Sequence, residues 1–284
     1  LATFLEIPVR DDAAEFATFA RGFRTLECLS EIGIDVPGRR VVDLGAGYGS
    51  LSIAAARRGA SSVLAVDVHP RRLAEIQARA TDHGVEVDVL RLNLLSGWPA
   101  EPTADLAFLF GVVEYAGLWS DSGSPSDLQL ELLRTAYGAL RPGGRLVLGT
   151  KNRAWPGFAI RDVHTGQPLV NVLPRRAADR WSQRRDGTAY RHHLHAPRGW
   201  ATLLEAAGFE QETAYVPYFS YQFPIKLTRR PVPSDIAEVK RLAPTGAQRA
   251  AALGRVPTLK GALMATAAAV RLPISHSSVI VATR

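Results

Sequence analysis

With 284 residues, 46% of them hydrophobic and 21% charged, the chain is long enough for one large α/β domain with a buried core and short for two independent ones. No run of about 18 apolar residues occurs and Cys28 is the single cysteine, which argues against a membrane-spanning helix and a disulfide-stapled scaffold. The first ten residues hold acidic Glu6 and no apolar stretch, so no signal peptide is expected and a cytoplasmic location is predicted; the chain starts at Leu1, and residues upstream of it are left open. The net charge of +7 is local: between Lys151 and Trp200 ten Lys or Arg stand against three Asp (Asp162, Asp179 and Asp186), an excess equal to that of the whole chain. Clustered cations concentrate anions, so an anionic partner or substrate is expected, the alternative being a solvated arginine-rich loop.

In chain order, Phe16, Phe19, Phe23, Leu26 and Leu29 recur every three or four residues and predict an amphipathic helix over 12–32, ending near Gly33. Strand-like and helix-like segments then alternate: strand 40–44, helix 50–58, strand 62–68, helix 70–83, strand 85–92, strand 105–110, helix 127–140 and strand 145–150. Such alternation predicts a parallel sheet covered by helices on both faces. After Thr150 the rhythm breaks into a long Pro, Arg, His and Gly-rich stretch, of a length that marks function or disorder. A helix over 197–207 closed by Gly208, a strand over 209–218, a mixed helical region and a final strand over 277–283 complete the series. The apolar segment 261–272 is too short to span a bilayer and reads as part of a helical lid; its basic flanks Lys260 and Arg271 leave interfacial binding open.

The motif that carries chemistry is V-V-D-L-G-A-G-Y-G-S, Val41 to Ser50, at a strand-to-helix junction. Gly45, Gly47 and Gly49 remove side chains where the backbone must turn tightly beside a ligand, and the following helix offers unpaired N–H groups at its start. The G-x-G-x-G spacing differs from the G-x-G-x-x-G of dinucleotide sites. Asp43 stands just before the turn, where a carboxylate reaches an ammonium group or an ordered water and repels a pyrophosphate. Asp67 ends the next strand, where an acid accepts hydrogen bonds from ribose hydroxyls. Two acids so placed suit a cationic nucleoside with free hydroxyls.

On these residues the chain resembles the class I S-adenosylmethionine (SAM) dependent methyltransferases, over roughly residues 40–151 and the closing strand. Leu140 to Leu148 (L-R-P-G-G-R-L-V-L) is similar to the family's turn into its fifth strand. The resemblance implies a doubly wound, mostly parallel seven-stranded sheet with SAM as cofactor. It implies that Gly45 and Gly47 cradle the methionine moiety, with Ala46, Tyr48 and Gly49 in the same turn, and that Asp67 holds the ribose beside Val68. Asn93, followed by Leu94, stands where the family usually has an Asp at the adenine amine; an amide oxygen can accept the same hydrogen bond. Phe110, Gly111 and Val112 fall in the loop that lines the SAM pocket, and Glu114 and Tyr115 face the reacting methyl or the acceptor. The resulting organisation is a single domain: a helical cap (1–39), a SAM-binding core (40–151), a substrate-side insertion (152–196), the remaining sheet (197–221 and 277–284) and a helical lid (222–276).

Methyl transfer from a sulfonium is an in-line displacement that needs alignment and, for a hydroxyl acceptor, a base. Four of the seven histidines, His164, His192, His193 and His195, lie in the basic stretch and are the candidate bases. No neighbouring Cys or Glu completes a metal set with His192, His193 and His195, so no metal is expected. K-N-R (Lys151 to Arg153), D-V-H-T-G (Asp162 to Gly166) and Y-V-P-Y-F-S-Y-Q-F-P (Tyr215 to Pro224) resemble landmarks of bacterial methyltransferases associated with surface-polysaccharide gene sets, which implies Asn152, Arg153, His164 and Tyr218 around the acceptor. The reading is an O-methyltransferase for a hydroxylated, anionic small molecule or glycan. Two alternatives stay open: RNA methylation, prompted by the basic stretch although no RNA-binding module accompanies it, and a non-catalytic SAM-binding subunit. No DNA partner is expected, and the oligomeric state is not readable.

Overall fold

The computed structural model describes residues 13–119, 123–218, 220–222, 224–230, 232, 234–235 and 275–284, with side chains from Ala20 onward. Its strands are β1 (Arg40–Leu44), β2 (Ser62–Asp67), β3 (Asp88–Arg91), β4 (Ala104–Phe110), β5 (Leu140–Lys151), β6 (Glu210–Pro217), β7 (Leu227–Thr228) and β8 (Ser277–Thr283), in one sheet of order β3-β2-β1-β4-β5-β8-β6-β7. The first five run parallel, and β8 is antiparallel to both β5 and β6. The expected α/β class holds; the eighth strand, beyond the seven expected, is the two-residue edge β7. The order reverses at β1 and β4, so their carboxyl ends open a crevice where α/β sheets bind ligands.

Successive side chains of a strand face opposite sides, which divides the core in two. Leu106, Phe108, Phe110, Val147, Val279 and Val281 meet helices α1 (Ala13–Ser30), α2 (Ser50–Arg57) and α3 (Pro70–Asp82) on one face. Ala107, Leu109, Leu146, Leu148, Ile280 and Ala282 meet α4 (Pro125–Ala139) and, beyond a short helix α5 (Gly157–Ile160) and α6 (Arg175–Asp186), α7 (Pro197–Ala207) on the other. Of the apolar series expected in α1, Phe23, Leu26 and Leu29 are buried, while Phe16 and Phe19 lie outside the described side chains. Gly22 marks the crossing of α1 over α2: a Cβ there would lie 1.9 Å from the Ser50 carbonyl oxygen.

Beyond shifts of one to three residues at the ends of elements such as β3 (Asp88–Arg91), two larger differences from expectation stand out. Strand β5 starts at Leu140 rather than Arg145, because Leu140 pairs with Ala104 before a register shift carries the Pro142-Gly143-Gly144 bend. The stretch 152–196, expected as loop, contains α5 and α6. Helix α6 escapes a search for apolar periodicity because it buries only Ala178 and Ser182, and apart from Ala177 and Trp181 its other residues are polar or charged. Most of the expected lid, 222–276, falls outside the described residues, as does the apolar segment 261–272.

Candidate active site

The glycine-rich turn joins β1 to α2, with Gly45, Gly47 and Gly49 at φ of 75°, 58° and 78°. A Cβ at Gly45 would lie 2.5 Å from Cγ2 of Val112, whereas one at Gly47 would stand in open space. Gly45 is therefore held by packing, and Gly47 keeps room beside the turn. The N–H groups of Gly45 and Ala46 both donate to the Val66 carbonyl, at 2.8 and 2.9 Å, which pins the turn to the end of β2. There Asp67, buried, accepts from the Gly47 N–H at 3.0 Å and the His69 N–H at 2.9 Å. Val68 and Tyr48 are exposed on either side, and Tyr48 lies under the guanidinium groups of Arg72 and Arg79.

Asp43 is buried, and one oxygen of its carboxylate accepts a 2.6 Å hydrogen bond from the Ser52 hydroxyl, which braces the first turn of α2. Burial pushes its pKa up to about 6 against that hydrogen bond and the charge of Arg21. Asn93 is exposed, with its side-chain oxygen accepting from the Leu95 N–H at 3.1 Å, and Leu94 is buried in the second core layer.

After β4, Gly111 turns at φ 66° directly beneath the Tyr221 hydroxyl, which a Cβ would meet at 2.6 Å. Phe110 packs against the same ring, centroids 6.1 Å apart. Val112 and a 3-10 turn, Val113–Leu118, then bring Glu114 wholly inside. Its carboxylate accepts from the Thr150 hydroxyl at 2.7 Å, the Lys151 N–H at 3.0 Å and the Tyr221 hydroxyl at 3.3 Å. Burial raises the Glu114 pKa against these donors, and burial lowers that of Lys151, whose ammonium lies 5.1 Å above the Tyr221 ring.

His164 enters the same cluster, its Nε2 3.7 Å from Glu114 Oε1. Its ring meets Tyr115 edge-on at 4.8 Å and stacks on His192 at 4.9 Å. Burial, helped by His192, pushes the His164 pKa down to about 4, and burial lowers that of His192. Both rings are therefore neutral near pH 7. His164 Nε2 and His192 Nδ1 have no hydrogen-bond partner among the described residues.

Asp162 holds His164 in place. This buried carboxylate accepts from the N–H groups of His164 and Thr165, the Thr165 hydroxyl, the Asn171 amide and the Tyr190 hydroxyl, all within 3.0 Å. Burial works to raise its pKa, and the five donors outweigh it and hold the group below the usual carboxylate range.

The four histidines do not form one group. His193 Nδ1 lies 3.4 Å from the Ser126 hydroxyl and its carbonyl accepts from Gln129 at 2.6 Å; His195 Nε2 meets the Gln129 amide oxygen at 2.9 Å. Both are built into the contact with α4, with pKa values pushed to about 3 and about 4 by burial and Arg175. Three residues expected at the acceptor are braces as well. Asn152 bonds the Ser275 carbonyl and the Ala154 N–H, Arg153 bonds the carbonyls of Asn171 and Leu173, and Tyr218 bonds Asp235. Thr150, Lys151, Asp162 and Tyr221 join this cluster without having been singled out as site residues, although Lys151, Asp162 and Tyr221 lie within the K-N-R, D-V-H-T-G and Y-V-P-Y-F-S-Y-Q-F-P stretches, and an acid two and three residues before His-Thr is the pattern of a side-chain-capped turn.

Residues 41–144 match the family model described as a methyltransferase domain. A ubiquinone biosynthesis O-methyltransferase of Xanthomonas oryzae pv. oryzae is 31% identical over 142 residues, half of this chain and 55% of the relative. A ribosomal protein L11 methyltransferase of Symbiobacterium thermophilum is 33% identical over 148 residues, half of this chain and 42% of the relative. The chain thus spans about half the length of the curated relatives it matches. Among solved structures, a SAM-dependent methyltransferase from Mesorhizobium loti superposes with a TM-score of 0.53 at 22% identity, covering 93% of this chain and all of the other. The fold is that of class I SAM-dependent methyltransferases, and the residues present fit that cofactor: open space beside Gly47, a buried Asp67 carboxylate with unused lone pairs, and the exposed apolar face of Val68 beside it. Among the described residues no group of three His, Cys, Asp or Glu could hold a metal, and no helix is long and apolar enough to cross a membrane.

Proposed function

We propose that this class I SAM-dependent methyltransferase carries its donor's methyl group to a hydroxyl of a small-molecule acceptor, with His164 taking the hydroxyl proton. SAM would be held by the Gly45–Gly49 turn and by Asp67, and supplies an electrophilic methyl. The observation that carries the reading is the pair of His164 and buried Glu114 beside the Gly111–Val112 turn. A neutral imidazole can accept a proton, and the imidazolium so formed lies 3.7 Å from Glu114, with the charge of Asp162 also favouring it. Asp162 positions the ring, and His192 and Tyr115 wall it from water. The O-methyltransferase relative supports a hydroxyl acceptor. A ribosomal protein methyltransferase matches at similar identity and length, so likeness to relatives does not by itself choose the acceptor.

The excess of positive charge supports an anionic acceptor less than its count suggests. Arg153, Arg175 and Arg191 donate to backbone carbonyls, where they tie the insertion together. The test is methyl transfer from labelled SAM to a panel of phenols, catechols and sugar hydroxyls. His164→Gln should reduce kcat by about a hundredfold or more. The acid limb of kcat/KM should fall near pH 4 rather than 6.5, because the folded protein holds the imidazole deprotonated down to that value. Full activity of the Gln variant would sink the proposal.

A further inference from the structure

The insertion between β5 and α7 carries a surface that methyl transfer does not use. Asp162, Gln167 and Asn171 knit residues 157–173 together, and Gln167 reaches Ser182 on α6 at 3.0 Å, while Val170, Ala178 and Tyr190 form a small core of their own. Helix α6 turns Ala178 and Ser182 inward. With 3.6 residues per turn, Arg176, Arg180 and Arg184 must then share the outer face, four residues apart, and all three are exposed. Like charges at that spacing destabilise a helix. Asp179 faces Arg175 and Arg191, and Asp186 pairs with Arg185, so no acid is committed to the stripe.

The same insertion exposes large apolar side chains: Ile160 is 72% exposed, Val172 55% and, on α6 itself, Trp181 38%. Val163 and Leu169 of the same insertion are exposed as well. A phosphate backbone of RNA would satisfy the arginines but has no use for branched aliphatic side chains. An anionic lipid surface satisfies both, since headgroups meet guanidinium groups while aliphatic and indole side chains enter the boundary below them.

We propose that the outer surface of the 157–186 insertion docks on an anionic lipid membrane, Arg176, Arg180 and Arg184 meeting the headgroups and Ile160, Val172 and Trp181 entering the interface. The attachment is peripheral and reversible, and it places the His164 loop at the membrane face. It does not depend on which acceptor is methylated.

The experiment is co-sedimentation of the full chain with vesicles of phosphatidylcholine alone or with 30% phosphatidylglycerol. The chain should partition to the anionic vesicles, less so as salt rises, and not to the neutral ones. Each of R176Q, R180Q and R184Q should weaken partitioning by about fivefold. I160S with V172S should weaken it with no change in salt dependence, and circular dichroism should show every variant folded. Equal binding to neutral vesicles, no binding to anionic ones, or a triple arginine variant that binds like the parent overturns the proposal. So does a single-stranded RNA complex, lost in the triple variant, that anionic vesicles fail to displace.

Discussion

The most direct perturbation is Asp67→Ala, read by calorimetry with S-adenosylhomocysteine, which needs no acceptor. Asp67 accepts two backbone N–H groups, from Gly47 and His69, with one oxygen each. Each carboxylate oxygen has a second lone pair, and these are what ribose hydroxyls would reach. A hydrogen bond to a charged group contributes about 1.5–3 kcal/mol, so its removal should raise Kd about 10–150-fold. The variant also strips two N–H groups of their acceptor, and a collapsed turn could weaken binding by itself. The 2′-deoxy analogue separates the two causes. The parent should bind it about tenfold more weakly than the natural ligand, and the variant should not distinguish them. A variant that keeps the full discrimination, or whose Kd moves less than twofold, would refute the placement of the sugar at the end of β2.

Glu114→Gln keeps the shape of a buried side chain and removes its charge. At 3.7 Å and an effective dielectric near 20, the carboxylate is worth at most about 4.5 kcal/mol to the imidazolium of His164. Turnover should therefore fall about 10²–10³-fold with S-adenosylhomocysteine affinity unchanged, and the loss should shrink in an H164Q background; equal losses in both backgrounds would separate Glu114 from His164. Gly22→Ala puts a Cβ where the Ser50 carbonyl stands, 1.9 Å away, so α1 must lift from α2. Overpacking of this kind costs about 1–3 kcal/mol and should lower Tm by about 2–10 °C in a scanning fluorimetry melt, and an unchanged Tm would show that the crossing is looser than described.

Much of the cofactor half is legible in the residues themselves because it is local. The turn from Val41 to Ser50 needs glycine wherever φ is positive, and Asp67 closes a strand whose apolar run is unmistakable, so spacing along the chain suffices to place both. The tie from Asp43 to Ser52 in the first turn of α2 is a contact that spacing does not reveal. The acceptor half is built differently. Glu114, Thr150, His164 and Tyr221 meet from four separate segments of the chain, so no spacing encodes them. Clustering of His192, His193 and His195 in sequence suggested one site, but successive residues of an extended segment point to opposite sides, and the rings of His193 and His195 turn to Ser126 and Gln129 of α4.

What the linear order of residues determined was therefore the glycine-rich turn, the acid at the next strand's end and the alternation that makes the sheet, all set by neighbours within one βαβ unit. Only the folded chain decided which histidine meets Glu114, that Asn152, Arg153 and Tyr218 serve as braces, and that three arginines of α6 share one outward face. Those are contacts between distant segments or matters of helix rotation, and burial and packing, which no single segment carries, select among the arrangements that the sequence allows.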